Sequence, residues 1–157
     1  VGELWLKGPM VAKGYWNNPQ ATQENFVDGY WRSGDVGRMD AQGFVYVMDR
    51  RKDMLNRGGY KIFSVEVENA LCEHPDVLEA AVVAKPCPVL GERVHVFVTL
   101  RDDKHTEAEA LRRFCAERLA DYKVPESYSI SHSLLPRNAN GKLLKRVLRQ
   151  ELLAAQA

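Results

Sequence analysis

With 157 residues, 45% of them apolar, and a formal net charge of +1, the chain can build a packed core and carries no charge excess. Its basic residues are dispersed, which argues against general nucleic-acid or membrane-surface binding. No apolar run nears the ~20 residues of a membrane-spanning helix. The length suits one domain or one and a half. Cys72, Cys87 and Cys115 are odd in number and show no CxxC spacing. They are read as reduced core thiols of a cytoplasmic protein, with Cys72 and Cys115 expected on the apolar faces of helices. His74, His95, His105 and His132 lack metal-ligand spacing, so they are read as structural or surface residues and no metal site is expected in the chain.

The first third predicts short strands and tight turns. The chain opens inside a strand-like run, Gly2–Leu6, which looks like a cut edge, so the missing targeting segment carries no weight. Asn18-Pro19 predicts an N-cap followed by a helix-starting proline, with a short helix through about Asn25. Asp28-Gly29 signals a hairpin into Tyr30-Trp31-Arg32, and Asp40–Gly43 a second turn into the strand Phe44–Met48. These strands have no helical layer of their own and are too few to close a barrel. They are expected to need sequence outside the chain.

Composition changes at the charged run Asp49-Arg50-Arg51-Lys52-Asp53, which reads as readily as a solvated turn as a hinge. Beyond it a compact α+β unit is predicted. Met54–Phe63 reads as a hairpin about Arg57-Gly58-Gly59. Ser64 is expected to cap a helix ended by His74-Pro75, with Glu66 and Glu68 in its first turns. Glu79–Ala84 and Arg93–Leu100 read as strands. Thr106-Glu107-Ala108-Glu109 has the form of a capping box, ahead of a helix with Leu111, Cys115 and Leu119 on one side. Ser127–Ser131 is a short predicted strand. The last predicted helix carries Leu144, Val147, Leu148 and Leu152 on one face.

Three clusters could carry chemistry. Tyr30-Trp31-Arg32-Ser33-Gly34-Asp35 places a lone carboxylate just past a predicted strand end. Such a group can accept two hydrogen bonds from the vicinal hydroxyls of a ribose, though an isolated Ser-Gly-Asp is more readily a turn aspartate. The run Asp49–Lys61 couples the charged stretch to a diglycine hairpin, whose glycines permit positive φ and close approach of a ligand chain. Pro136–Lys142 ends in an Asn-Gly turn that presents one lysine, a compact and movable point charge.

In this order and spacing the clusters resemble the closing motifs of the adenylate-forming (AMP-binding) superfamily, which includes acyl- and aryl-CoA synthetases, firefly-type luciferases and peptide-synthetase adenylation domains. Gly14-Tyr15-Trp16-Asn17-Asn18-Pro19 and Ser64-Val65-Glu66-Val67-Glu68 extend the resemblance over essentially the whole chain. It implies an α+β fold: residues 1–49 as the β-rich tail of a large, incomplete N-terminal domain, and 50–157 as a small mobile lid with a short sheet and about three helices. It implies that Asp35 and Arg50 bind the ribose of ATP, that Lys52 is the hinge, where the family has Asp or Lys, and that Gly58 and Gly59 line the passage for the pantetheine arm of coenzyme A. Lys142 becomes the catalytic lysine of adenylate formation. Asn56 stands where several relatives carry a second-step lysine and is given no catalytic role. Lys61 stands where relatives have Arg, Gln or Asn and is a candidate phosphate contact. The family's phosphate-binding loop lies outside the sequence, as do the acyl pocket and the ligands for Mg²⁺.

The resemblance thus implies the C-terminal fragment of an acyl-CoA synthetase acting on a carboxylic acid, ATP and CoA, itself inactive without its N-terminal domain. A peptide-synthetase adenylation domain ranks second, because the chain ends in Leu-Leu-Ala-Ala-Gln-Ala with no carrier domain following. A non-catalytic interaction module ranks third.

Overall fold

A computed structural model describes residues 1–155, so that Gln156 and Ala157 of the closing segment lie outside it. The chain divides into two compact units, Val1–Lys52 and Asp53–Ala157.

The first unit is a four-stranded antiparallel sheet built on one long strand. Strand β1 (Gly2–Leu6) leads to helix α1 (Pro19–Asn25), β2 (Phe26–Val27), β3 (Tyr30–Met39) and β4 (Val45–Arg50). Strand β3 pairs with β1 along its length, with β2 at its start and with β4 over its second half. The local signals act as expected. Asn18 accepts a hydrogen bond from the Ala21 amide (3.0 Å), and Pro19 occupies the first helical turn. Asp28 and Gly29 both have positive φ, the requirement of a two-residue type I′ hairpin. Among the described residues, Val36 is the one buried hydrophobic side chain of this unit, while Trp16, Met10 and Phe44 are exposed.

The second unit holds a genuine core. Strands β5 (Leu55–Arg57) and β6 (Tyr60–Ile62) form a hairpin, followed by α2 (Ser64–Cys72), β7 (Val77–Cys87), β8 (Gly91–Leu100), α3 (Ala108–Ala116), a 3-10 turn (Asp121–Lys123), β9 (Ser127–Ser131) and α4 (Lys145–Ala154). The sheet order is β6-β5-β8-β7, with β9 added in parallel against β8. Alternation in β7 explains its unbroken apolar run. Ala80, Val82 and Ala84 join a cluster with Val67 and Leu71 of α2 and Leu111 and Cys115 of α3. Ala81 and Val83 point the other way, into a second cluster with Leu135 and with Leu148 and Leu152 of α4. A strand covered on both faces has no polar side to show, so its sequence loses the period of two. Each fully buried Val or Leu contributes about 1.5–3 kcal/mol, which this unit collects many times over and the first does not.

Three local expectations are corrected. Ser64 is the first residue of α2, not its cap, and its hydroxyl accepts from Lys145 Nζ at 2.7 Å. Thr106 does not cap α3: its hydroxyl donates to Asp76 Oδ2 at 2.6 Å, and Glu107 holds the cap position without a side-chain bond. In both cases the hydroxyl meets a partner distant in the sequence. Cys72 is exposed, whereas Cys87 and Cys115 are buried. The buried stripe of α2 is Ser64, Val67, Ala70 and Leu71, and Cys72 lies a further ~100° around the helix. No helix among the described residues is long and apolar enough to cross a membrane.

Candidate functional site

In the first unit, Asp35 lies inside β3 rather than past a strand end. The strand continues through Gly34, whose φ of +75° bends the chain without ending the ladder. The Gly34 carbonyl accepts from the Arg51 amide (2.8 Å), and Ser33 Oγ both donates to Leu4 O and accepts from the Asp35 amide. Asp35 and Arg50 are cross-strand partners, and Arg50 Nε reaches Asp35 Oδ1 at 3.0 Å. The two expected ribose ligands are therefore brought together as a half-exposed ion pair. Each retains donors or acceptors that a vicinal diol could use.

The charged run closes this unit. Asp49 is buried and accepts from the Arg50 amide (2.7 Å). Arg51 reaches Glu3, which also receives Arg32 and the Trp5 indole N–H. Burial would raise the Glu3 carboxyl, but those hydrogen bonds and charges outweigh it and hold the group below its ordinary value. Lys52 is exposed in the turn that follows β4, at the last residue of the unit.

In the second unit, Gly58 and Gly59 form the two-residue tip between β5 and β6, with φ of +57° and +92°. An L-residue with a side chain resists both angles, so the glycines are demanded by the turn itself. The hairpin is well fastened. The Gly58 amide donates to Leu90 O (2.8 Å) and the Asn56 amide to Glu92 Oε2 (2.7 Å). Arg57 pairs with Glu126 at 2.8 Å, and the Tyr60 ring stacks on Tyr122 with centroids 4.6 Å apart. Lys61 sits opposite Asn56, exposed on β6.

Lys142 ends a loop that is rigid at its base. Asn138 Oδ1 accepts from the amides of Asn140 (3.1 Å) and Lys142 (2.8 Å), and the Asn138 amide donates to Lys142 O (2.9 Å). Gly141 supplies the positive φ of +78° at the bend. Arg137 braces the turn by donating to Gly141 O (2.9 Å) while pairing with Glu79. Glu79 also accepts from the Leu135 amide (2.8 Å). After the loop, Lys145 Nζ reaches Glu68 Oε1 at 2.6 Å, with both side chains about 15% exposed. The exposed Lys142 ammonium makes no ion pair among the described residues. The arrangement presents one free cation on an immobilised turn.

The hairpin and the lysine loop stand at opposite ends of one strand. The hairpin meets β8 at Gly91, through Arg57. The loop is anchored at the far end, where Thr99 Oγ1 donates to Ser133 O (2.8 Å) and Thr99 pairs with Glu79. From Gly91 to Thr99 is about 26 Å at ~3.3 Å per residue. Between them, buried His95 touches Ser127 Oγ (Nδ1, 2.8 Å) and Ser129 Oγ (Nε2, 3.1 Å) of β9. Burial and the charge of Lys85 push its pKa down to about 4.

Sequence reading missed the supports: Glu79, Arg137, Glu68, Lys145, Tyr122 and Glu126. A lone carboxylate within an apolar strand was the available signal for Glu79. The aromatic and ionic ties of Tyr122 and Glu126 leave no local trace. Among the described residues no three His, Cys, Asp or Glu side chains cluster as a metal site.

The profile of the AMP-binding enzyme C-terminal domain matches residues 66–142. The chain is 45% identical over 150 residues to the long-chain-fatty-acid–CoA ligase of Bacillus subtilis (strain 168), covering 96% of this chain and 27% of that protein. It is 45% identical over 151 residues to the 2-succinylbenzoate–CoA ligase of Geobacillus kaustophilus (strain HTA426), covering 96% and 30%. Its fold superposes on o-succinylbenzoate CoA synthetase from Bacillus subtilis, solved in complex with its acyl-adenylate intermediate, with a TM-score of 0.87 at 40% identity, over 94% of this chain and 30% of that one. An amide bond synthetase from Marinactinospora thermotolerans gives a TM-score of 0.86 at 37% identity, over 96% and 30%. The chain thus spans 27% to 30% of the length of these relatives.

Proposed function

This chain belongs to the AMP-binding, adenylate-forming enzyme family, and from that premise we propose that it is the C-terminal part of an ATP-dependent acyl-CoA synthetase. Residues 1–49 are the tail of the large domain and the rest is the mobile lid. The compact units meet three residues later, between Lys52 and Asp53.

The observation that carries the reading is that the Gly58-Gly59 hairpin meets β8 at Gly91, whereas the segment leading into the Lys142 loop is held at Thr99, ~26 Å along the same strand. Turns fastened this far apart along one strand, at Gly91 and at Thr99, are not placed to attend one reacting centre together. They can attend it in turn if the lid rotates. In the first arrangement the carboxylate of the acid attacks the ATP α-phosphate and pyrophosphate leaves. Lys142 offsets the charge on the attacking carboxylate and the bridging oxygen, while Asp35 and Arg50 orient the ribose hydroxyls. In the second arrangement Lys142 is withdrawn and the glycine tip, without side chains, admits the pantetheine arm. The CoA thiolate attacks the acyl carbonyl, the carbonyl carbon–phosphate oxygen bond breaks, and AMP departs. Lys52, at the junction of the units, absorbs the rotation. Lys61 is proposed to meet a CoA phosphate. The free thiols fit a reducing cytoplasm.

The similarity to an amide bond synthetase, together with Asn56 at a position where relatives use a lysine in the second step, favours one alternative: the adenylate is passed to an amine. The test is the complete protein given ATP and a panel of carboxylic acids, with pyrophosphate release measured first and CoA or an amine then added. Mass spectrometry of the product decides. Thioester with release of AMP supports the synthetase, amide supports the alternative, and no acid-dependent pyrophosphate release sinks both.

A further inference from the structure

The glycine tip has two flanking residues, Arg57 and Tyr60, one on each strand. Both are tied to the same short segment, the 3-10 turn and its continuation to Glu126. Arg57 pairs with Glu126 at 2.8 Å. Tyr60, itself 58% exposed, stacks nearly parallel on Tyr122 at 4.6 Å. That segment is in turn held to the body of the unit. Lys123 pairs with Glu66 of α2 at 2.6 Å, and the Glu126 amide donates to Val94 O of β8 at 3.0 Å. A two-residue hairpin at a sheet edge is marginal by itself. Here both of its strands are clamped to one anchored support.

We propose that Tyr122 and Glu126 are positioning residues for thiol transfer, which hold the Gly58-Gly59 tip in the shape that admits the pantetheine arm. The proposal rests on the reading of that tip as the thiol passage. Neither residue is required to touch a substrate. An open or shifted tip must be re-formed before the thiol can enter, so losing a clamp raises the CoA concentration needed while leaving adenylate formation untouched. Tyr122 acts by ring stacking, so phenylalanine serves in its place and leucine does not. Glu126 acts by charge, so glutamine does not replace it.

The experiment uses the complete enzyme and its Tyr122→Leu, Tyr122→Phe and Glu126→Gln variants. Pyrophosphate release reports the first half-reaction, CoA-dependent thioester formation the second, and hydrogen exchange of peptides covering Leu55–Ile62 reports the hairpin. Tyr122→Leu should raise the KM for CoA about two- to tenfold, the equilibrium worth of one aromatic pair, and speed hairpin exchange by a similar factor. Tyr122→Phe should restore both, and Glu126→Gln should shift both in the direction of Tyr122→Leu. Pyrophosphate release should be unchanged in all three. Normal thioester formation with an unaltered CoA KM in Tyr122→Leu overturns the inference alone, as does an equal loss in both half-reactions. An enzyme that makes adenylate but never thioester overturns the reading beneath it, and the inference with it.

Discussion

The lysine loop and the glycine hairpin are both surface turns of one unit, yet they are built by different means. The hairpin's shape is set in its backbone: positive φ at Gly58 and Gly59 and an amide bond to Leu90 O. Its clamps are a partly exposed ion pair and an aromatic stack. The lysine loop also bends at a glycine, Gly141, but side chains fix it: Asn138 closes the turn and carboxylates hold its flanks. Glu79 gathers Arg137 and the Leu135 amide, and Glu68 holds Lys145 in a largely buried pair. A turn that must let a chain pass gains from lacking side chains. A turn that presents one charge gains from having its flanking charges, Arg137 and Lys145, already paired.

The comparison breaks most sharply at Lys142. Lys142→Ala should slow adenylate formation by about 10²–10³, the usual cost of one preorganised charge, and largely spare thioester formation from supplied acyl-adenylate. Separate assays of the half-reactions on the complete enzyme check this. Equal damage to both would mean that the two turns do not divide the chemistry.

His95 is bonded to β9, the strand that joins the segment clamping the hairpin to the loop carrying Lys142. Its folded pKa of about 4 is below the unfolded ~6.5. The unfolded chain therefore binds the proton first as pH falls, so the stability present above ~6.5 is lost progressively down to the folded value. From pH 7 to 4.5 the loss from this group should be about 2–3 kcal/mol. Urea midpoints of the unmodified protein and His95→Asn over that range measure it. Identical pH slopes would show that His95 is not the titrating group.

Lys52→Pro tests whether the two turns are used alternately. Proline fixes φ and restricts Arg51 before it. Adenylate formation should survive at a useful fraction while thiol transfer falls about tenfold or more, and Lys52→Ala should leave both nearly intact. Unimpaired transfer in the proline variant would place the hinge elsewhere.

The smallest effect sharpens the hairpin side. A Cβ at Gly59 meets nothing within 4 Å, so Gly59→Ala carries only the cost of its left-handed φ, roughly 1–2 kcal/mol. Gly58→Asn should cost less, because asparagine adopts that region more readily. Thermal or urea unfolding of the two variants compares them. Equal and negligible losses would mean that the tip does not depend on its backbone angles.

Local physics wrote several features directly into the sequence. Asn18-Pro19 starts a helix, Asp28-Gly29 and Gly58-Gly59 turn hairpins, and Asn138–Gly141 bends to present Lys142, each through bonds among residues a few positions apart. The clusters at Asp35, Arg50, Gly58-Gly59 and Lys142 were therefore visible as candidates. The failures share one cause. Ser64 and Thr106 looked like caps because each precedes a helical run, but Lys145 and Asp76, 81 and 30 residues away, took their hydroxyls. Asp35 was placed past a strand end because nothing local shows that β3 bends at Gly34 and continues opposite Arg50.

The same division holds for function. The sequence by itself determined which residues could act, because a glycine's freedom and a lysine's charge belong to the residue. Only the tertiary structure decided where they stand. Arg57 meets Glu126 across 69 positions and Arg137 meets Glu79 across 58, and the lengthwise run of β8 sets the two turns apart. Such distances follow from how strands pair and helices cover them, which no window of neighbouring residues contains.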